Sequence, residues 1–169
     1  MAVILIGGGS RSGKSRYALT LARERGLRLG FLATAQIFDD EMRDRVRAHR
    51  IERGEGFVTI EEPLDLPGAI EREGPAYDAI VVDCLTLWLS NLMLSGCNDI
   101  EQRTARLLAA AANSPADILL VTNEVGCGIV PENALARRFR DLAGHMNQRA
   151  AAAAAHVYWM AFGYPMRVK

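Results

Sequence analysis

The sequence has no long apolar run, few cysteines and no excess of either charge. Its 20 lysines and arginines balance its 20 aspartates and glutamates, so no net field favours a nucleic acid or an anionic membrane as partner. No apolar stretch reaches the ~18 residues of a membrane-spanning helix, and the N-terminus lacks the basic region of a secretory signal. We therefore expect a cytoplasmic protein that binds neither nucleic acid nor membrane.

Only three cysteines are present, at positions 84, 97 and 127. An odd and widely spaced set without a C-x-x-C pattern is typical of reduced thiols rather than of a disulfide framework. With 169 residues, half of them hydrophobic, the chain has the size and composition of a single globular domain spanning residues 1–169. No internal repeat or long linker divides it.

A glycine-rich segment near the start has the spacing G-x-x-x-x-G-K-[ST]. It stands between an apolar run at residues 3–6 and a helical pattern, the setting in which this spacing predicts a phosphate-binding loop. Backbone N–H groups of such a loop point inward around an anion, and the next helix adds its dipole. Lys14 can reach the β- and γ-phosphates as a catalytic cation, and Ser15 can hold Mg²⁺. The predicted nucleotide-binding residues are Gly8, Gly9, Ser10, Arg11, Ser12, Gly13, Lys14 and Ser15. A surface turn that matches by chance is the alternative.

Short apolar runs alternate with helical segments along the chain. Strands are predicted at residues 2–7, 29–33, 57–60, 79–83, 118–122 and 157–162, and helices at 16–22, 39–53, 66–73, 85–94, 99–112 and 132–155. This alternation predicts an α/β fold with a mostly parallel, doubly wound sheet, a three-layer sandwich like that of P-loop NTPases. Residues 163–165 are expected to turn into a short tail. Ligands of such sheets gather at the carboxyl ends of the strands.

Asp83 ends a strand predicted to be buried on both faces. P-loop enzymes hold Mg²⁺ partly through a carboxylate in this position, so Ser15 and Asp83 are the predicted metal ligands. The alternative is that Asp83 caps the helix that follows.

Asn123 and Glu124 follow another apolar strand and are interpreted as part of a substrate-facing loop. The alternative is a plain connection between strand and helix. Arginines at positions 137 and 140 are expected to form ion pairs on the surface of the last helix.

His49 is the histidine with the most suggestive surroundings. It shares a helical face with Met42 and Val46, so its ring is expected to point with this apolar stripe rather than into solvent. A neutral imidazole can attack phosphorus and hold a phosphoramidate. Three arginines of the same segment can neutralise phosphate oxygens: Arg45, Arg50 and Arg53. On pattern alone, a buried structural histidine is the stronger alternative, and His145 and His156 are interpreted as structural.

Several longer segments resemble the bifunctional adenosylcobinamide kinase / adenosylcobinamide-phosphate guanylyltransferase family of cobalamin synthesis. The matching segments are GGGSRSGKSRYA from Gly7, ATAQIFDDEMRDRVRAHRIERG from Ala33, TIEEP from Thr59, VVDCLTLWLSNL from Val81 and VTNEVGCGIVPENALARRFRDLAGHMNQRAA from Val121. Two departures from the family pattern are Ser10, where Ala is usual, and Phe57, where Trp is usual.

The resemblance implies two reactions at one nucleotide site. ATP or GTP would phosphorylate the aminopropanol hydroxyl of adenosylcobinamide, and His49 would then carry GMP from GTP to that phosphate, giving adenosylcobinamide-GDP. It also implies a homotrimer. The nucleotide contacts it implies outside the phosphate loop are Ala33, Thr34, Ala35, Arg50, Ile51, Glu52, Arg53, Glu61 and Asp83. The alternatives are a plain P-loop small-molecule kinase with a structural His49 and a nucleotide-binding module without turnover.

Overall fold

The computed structural model describes residues 1–36 and 39–169, with the side chains of Met42, Arg45 and Glu52 excepted. The apolar stripe expected to include Met42 therefore lies partly outside the described residues. The same holds for the phosphate contact expected of Arg45 and the nucleotide contact expected of the Glu52 side chain.

Seven strands and six α-helices make up the described part of the chain. The strands are β1 (Val3–Gly8), β2 (Leu29–Ala33), β3 (Phe57–Glu61), β4 (Ala79–Asp83), β5 (Asp117–Val121), β6 (His156–Ala161) and β7 (Tyr164–Arg167). The helices are α1 (Lys14–Arg23), α2 (Asp40–Arg53), α3 (Leu66–Glu73), α4 (Leu85–Leu94), α5 (Ile100–Asn113) and α6 (Ala134–Ala153), and a short 3₁₀ helix, Gly74–Ala76, follows α3.

The strands form one sheet in the order β3-β2-β4-β5-β1-β6-β7. All neighbouring pairs are parallel except β6 and β7. Along the sheet, Val121 is in register with both Ile6 of β1 and Asp83 of β4. The carboxyl ends of β1, β5 and β4 thus lie side by side, which places the segments that follow them at one edge of the sheet.

Successive side chains of a strand point to opposite sides of the sheet. Because the strands are apolar on both sides, helices pack on both faces of the sheet. On one face, strand residues such as Leu5, Val82 and Leu120 pack with α3, α4, α5 and α6 around the fully buried Trp88. On the other, Ile6, Val81 and Val121 pack against α1. Near-continuous apolar strands of this kind are typical of parallel sheets buried on both faces.

The predicted doubly wound α/β fold is confirmed, with most element ends within two residues of the predicted ones. The expectation of a tail after position 163 is wrong. Phe162 and Gly163 have φ values of 53° and 87° and turn the chain back, so that β7 pairs antiparallel with β6. Pro165 is tolerated there because β7 is an edge strand. No helix within residues 1–36 and 39–169 is long and apolar enough to span a membrane.

Candidate active site

The phosphate loop connects the end of β1 to the start of α1. Gly8 (φ 151°) and Gly13 (φ 89°) adopt backbone conformations that side chains disfavour. A Cβ at Gly8 would also come within 2.8 Å of the Met160 carbonyl oxygen. The glycines at these two positions are therefore required by the backbone, as the motif predicts.

Lys14 reaches back across this loop. Its Nζ donates to the Gly9 carbonyl oxygen at 2.6 Å and lies 3.4 Å from Ser12 Oγ. Burial lowers the pKa of Lys14, while the nearby Cys84 thiol and Asp83 carboxyl act in the opposite direction. The ammonium group is thus held inside the ring of backbone groups that would surround a bound phosphate.

Asp83 and Ser15 lie against each other beside the loop. Burial raises the pKa of Asp83, and this effect is opposed by the hydrogen bond from Ser15 and by the positive groups of His49, Lys14 and Arg53. The alternative role as a helix cap is not supported, since Cys84 is the N-cap of α4 and no side chain caps it.

The Ser15 hydroxyl and the Asp83 carboxylate fit a Mg²⁺ site. Mg²⁺ is usually bound by one or two protein oxygens, phosphate oxygens and water. Within the described residues, no three His, Cys, Asp or Glu side chains come together as a metal site. The donor set therefore suits a cation shared with a nucleotide rather than one caged by protein alone.

The Thr34 side chain, unlike that of most predicted contacts, is completely buried. Its hydroxyl donates to Cys84 O at 2.9 Å and accepts from Cys84 N at 2.8 Å. Asn91 Nδ2 donates to the Thr34 carbonyl oxygen at 2.8 Å and to Pro63 O at 3.0 Å. Thr34 therefore ties the end of β2 to the residue after Asp83.

Helix α2 supplies one wall of the cavity that lies in front of the phosphate loop. His49 and Arg50 are exposed, and Arg53 is buried, with its guanidinium 4.2 Å from the ring centroid of Phe31. Arg50 Nη2 donates to Glu61 Oε1 at 2.6 Å. The expectation that His49 points away from solvent is wrong, because His49 is exposed and lines an open cavity.

One cavity of about 1220 Å³ joins these groups. Of the predicted site residues, those that line it are Ser10, Arg11, Ser12, Gly13, Lys14, Ser15, Ala33, Ala35, His49, Arg50, Arg53, Glu61 and Asp83. Gly8, Gly9, Thr34 and Ile51 are not among its lining residues. Gly8 and Gly9 shape the loop through their backbone, whereas Ile51 is 74% exposed and lies on a different face of α2 from His49.

Reasoning from the sequence missed Phe31 in this cavity and misassigned two arginines of α6. Phe31 lines the cavity beside Arg53, although its place in an apolar run identified it only as core. The expected surface pairs of Arg137 and Arg140 are wrong, because both donate to backbone carbonyls of the connection between β5 and α6. In the sequence, the functional role of the connection between β5 and α6 was indicated only by Asn123 and Glu124, two polar residues directly after an apolar strand.

Comparisons of the sequence give full-length matches. A family model described as "Cobinamide kinase / cobinamide phosphate guanyltransferase" matches residues 4–168. The bifunctional adenosylcobalamin biosynthesis protein CobP of Pseudomonas aeruginosa is 44% identical over 168 residues, covering 98% of this chain and 96% of that protein. The bifunctional adenosylcobalamin biosynthesis protein CobU of Salmonella typhimurium is 42% identical over 181 residues, covering 99% of both.

Comparisons of the structure give more distant matches. The RadB recombinase aligns with a TM-score of 0.52 at 13% identity, covering 94% of this chain and 73% of that one. A prototypical ATPase from the type III secretion system of pathogenic bacteria aligns with a TM-score of 0.50 at 12% identity, covering 95% of this chain and 51% of that one. At such low identity these likenesses show a shared fold and no more.

Proposed function

Because the chain belongs to the cobinamide kinase / cobinamide phosphate guanyltransferase family, we propose that it carries out both reactions on adenosylcobinamide. ATP or GTP phosphorylates the aminopropanol hydroxyl, and GMP from GTP is then added to the new phosphate. The observation that carries the proposal is the single cavity lined by the phosphate loop, Asp83 and His49. The family resemblance predicted from the sequence is itself confirmed by the full-length matches.

Phosphoryl transfer depends on positioning and charge neutralisation more than on protein covalency. Backbone N–H groups of residues 8–15 hold the triphosphate, and Lys14 neutralises charge on the β- and γ-phosphates. Mg²⁺ held by Ser15 and Asp83 would neutralise the same oxygens. Lys14 is already drawn into the loop by Gly9 O, so a bound phosphate needs only to replace that carbonyl as its partner.

Guanylyl transfer needs a separate nucleophile, because its target is the α-phosphorus. The His49 imidazole attacks this phosphorus, the bond to the β-phosphate breaks, and pyrophosphate leaves. The phosphate on the corrinoid arm then attacks the phosphoramidate, the P–N bond breaks, and the ring is regenerated. The position of His49 on the cavity wall, facing Asp83 closely enough to affect its ionisation, supports this assignment.

The nucleoside is expected to lie between α2 and the ends of β2 and β3. Ala33 and Ala35 leave space there, and Arg53 stacks on Phe31 at its floor. Glu61, tied to Arg50, is placed to accept hydrogen bonds from a ribose or a guanine edge. Phe57, where Trp is usual, begins β3 at the end of the strand away from this site, and the Arg23 guanidinium lies 5.3 Å from its ring centroid.

A homotrimer in the cytoplasm is part of the same proposal. Exposed apolar side chains on the β6–β7 hairpin support self-association: Phe162, Tyr164 and Met166 are 98%, 76% and 58% exposed. The three cysteines are free, which suits a reducing compartment. Light scattering after size-exclusion chromatography measures the oligomeric state.

Covalent labelling tests the proposed function. The protein is incubated with α-³²P-GTP and Mg²⁺, denatured, and examined for label that is stable in alkali and lost in acid, as a phosphoramidate is. We expect this label in the wild-type protein and none in His49→Ala, while His49→Ala retains phosphorylation of adenosylcobinamide. His145→Ala is the matched control, because His145 is also an exposed helical histidine but lies away from the cavity.

Three outcomes would contradict parts of the proposal. Label retained by His49→Ala would move the nucleophile elsewhere. Phosphorylation without any label would indicate a plain kinase, and tight nucleotide binding without either reaction would indicate a module without turnover.

A further inference from the structure

The segment after β5 leaves the sheet between the two halves of the phosphate site. Strand β5 lies between β1, which leads into the phosphate loop, and β4, which ends at Asp83. Val121 is level with Ile6 on one side and with Asp83 on the other. Neighbouring strands are only ~4.8 Å apart, so a phosphate held jointly by the loop and Asp83 lies directly in front of residues 122–125.

This segment is held in place from several directions. The Glu124 N–H donates to Gly8 O at 3.1 Å, which joins it to the phosphate loop itself. Side chains from the surrounding helices hold the residues on either side of Glu124. These bonds are Asn123 N to Thr86 Oγ1 at 2.8 Å, Asn147 Nδ2 to Asn123 O at 3.1 Å, and Arg140 Nη2 to Gly126 O at 2.6 Å.

Three carboxylates are among the described residues that line the cavity: Glu61, Asp83 and Glu124. Asp83 is bound to Ser15 in the proposed Mg²⁺ site. Glu61 is paired with Arg50 and lies on β3, four strands from β1, or about 19 Å across the sheet. Glu124 is half-buried, and its Oε1 accepts from Gly126 N at 2.6 Å, an arrangement that orients the carboxylate without pairing it with a cation.

We propose that Glu124 is the catalytic base of the phosphorylation step, an inference that rests on the proposed function. Its carboxylate accepts the hydrogen bond of the aminopropanol hydroxyl. The hydroxyl oxygen attacks the γ-phosphorus, the bond between the γ-phosphorus and the β–γ bridging oxygen breaks, and the nucleoside diphosphate leaves. The hydroxyl proton passes to Glu124 and from there to water. The guanylyl step needs no such base, because its acceptor is a phosphate that is already ionised.

Since one protein carries out both reactions, each serves as the control for the other. In Glu124→Gln we expect kcat for phosphorylation to fall at least about 100-fold, the low end of general-base effects, with the KM for nucleotide within threefold. Labelling of His49 by α-³²P-GTP, and GMP transfer to adenosylcobinamide phosphate supplied ready-made, should stay within threefold of wild type. Glu124→Asp, which keeps the carboxylate, should retain more phosphorylation than Glu124→Gln.

The matched control is Glu132→Gln, the same substitution at an exposed glutamate of the same connection that does not line the cavity. It should leave both reactions unchanged. Phosphorylation by Glu124→Gln within threefold of wild type overturns the assignment, and so does an equal loss of both reactions, which would indicate a structural role. Absence of phosphorylation in the wild-type protein would reject the proposed function, and this inference with it.

Discussion

Thr34 shapes the site without facing it. Its hydroxyl satisfies both the N–H and the carbonyl of Cys84, and its own N–H donates to Asp83 O at 3.2 Å. These backbone groups are buried, and buried polar groups without partners are costly. The carboxylate of Asp83 therefore depends for its position on a residue of the neighbouring strand.

Thr34→Val tests this dependence. Valine has the same shape but cannot hydrogen-bond, so the buried Cys84 N–H loses its partner while the Cys84 carbonyl keeps the Trp88 N–H. We expect the free energy of unfolding to fall by roughly 1–3 kcal/mol. Thr20→Val on the exposed face of α1 is the control and should change it by less than about 0.5 kcal/mol. Urea unfolding measures both. Equal changes in the two variants would contradict the role given to Thr34.

Asp83 should set the acid limit of phosphorylation. Burial raises the pKa of Asp83, so if Asp83 holds Mg²⁺ as proposed, protons should compete with the metal for this carboxylate at a higher pH than at an ordinary aspartate of pKa ~3.9. As the pH falls through that raised pKa, the Mg²⁺ concentration for half-maximal kinase activity should increase. Phosphorylation is the reaction to measure, because guanylylation depends in addition on the proposed His49 nucleophile.

Asp83→Asn supplies the comparison. It should lower kcat for phosphorylation about 100-fold or more, as loss of a transition-state electrostatic group does. In this variant, the Mg²⁺ concentration needed for half-maximal residual activity should not increase as the pH falls, as it does in the wild-type protein. The same pH dependence in wild type and variant would assign the titration to another group.

At the scale of elements, Asp78 joins the starts of three strands at the end of the sheet opposite the site. Its carboxylate accepts from the N–H groups of Leu27 and Arg28, both at 3.0 Å, and from the Arg28 guanidinium at 2.6 Å. The backbone N–H of Asp78 donates to Arg28 O, and the Asp78 carbonyl oxygen accepts from the N–H of Asp117. Asp78 thus links the entrances to β2, β4 and β5, whose other ends carry the site.

The hydrogen bonds and charge of Arg28 lower the pKa of Asp78 to about 2, below the ~3.9 expected in the unfolded chain. The ionised carboxylate therefore stabilises the fold fully above about pH 4, and this contribution is lost as the pH falls through about 2. We expect the difference in unfolding free energy between wild type and Asp78→Asn to shrink over that range. Urea unfolding at several pH values measures it, and Arg28→Gln should reduce the same pH dependence.

The parts of the site that the sequence predicts are those whose geometry is local. The phosphate loop needs only its own spacing, so Lys14 and Ser15 could be placed from eight residues. The inward turn of Thr34, the stacking of Arg53 on Phe31 and the capture of Gly126 by Arg140 depend on elements distant in the chain. Strand β7 was missed because its pairing is created by the turn at Phe162 and Gly163, and not by apolar alternation.

At the scale of the whole molecule, the two proposed reactions share one phosphate loop. The cavity reaches from that loop to α2 on one side and to Glu124 on the other. In the proposed mechanism, a triphosphate anchored by its β- and γ-phosphates at Lys14 would present its α-phosphorus toward the wall formed by α2 and its γ-phosphorus toward the corrinoid arm. The reactions must then occur in turn, with nucleotide exchange between them.

Shared use of the loop predicts strict competition. The analogue α,β-methylene ATP, whose α–β linkage cannot be broken by attack of His49, should inhibit labelling of the protein by α-³²P-GTP by raising the apparent KM for GTP linearly with the analogue concentration. The maximal rate of labelling at saturating GTP should not change, because the analogue and GTP cannot occupy residues 8–15 together. At 100 times its dissociation constant the analogue should also add about 2.7 kcal/mol to the free energy of unfolding. Saturable inhibition that excess GTP cannot overcome would require a second nucleotide site, and with it two separate centres for the two reactions.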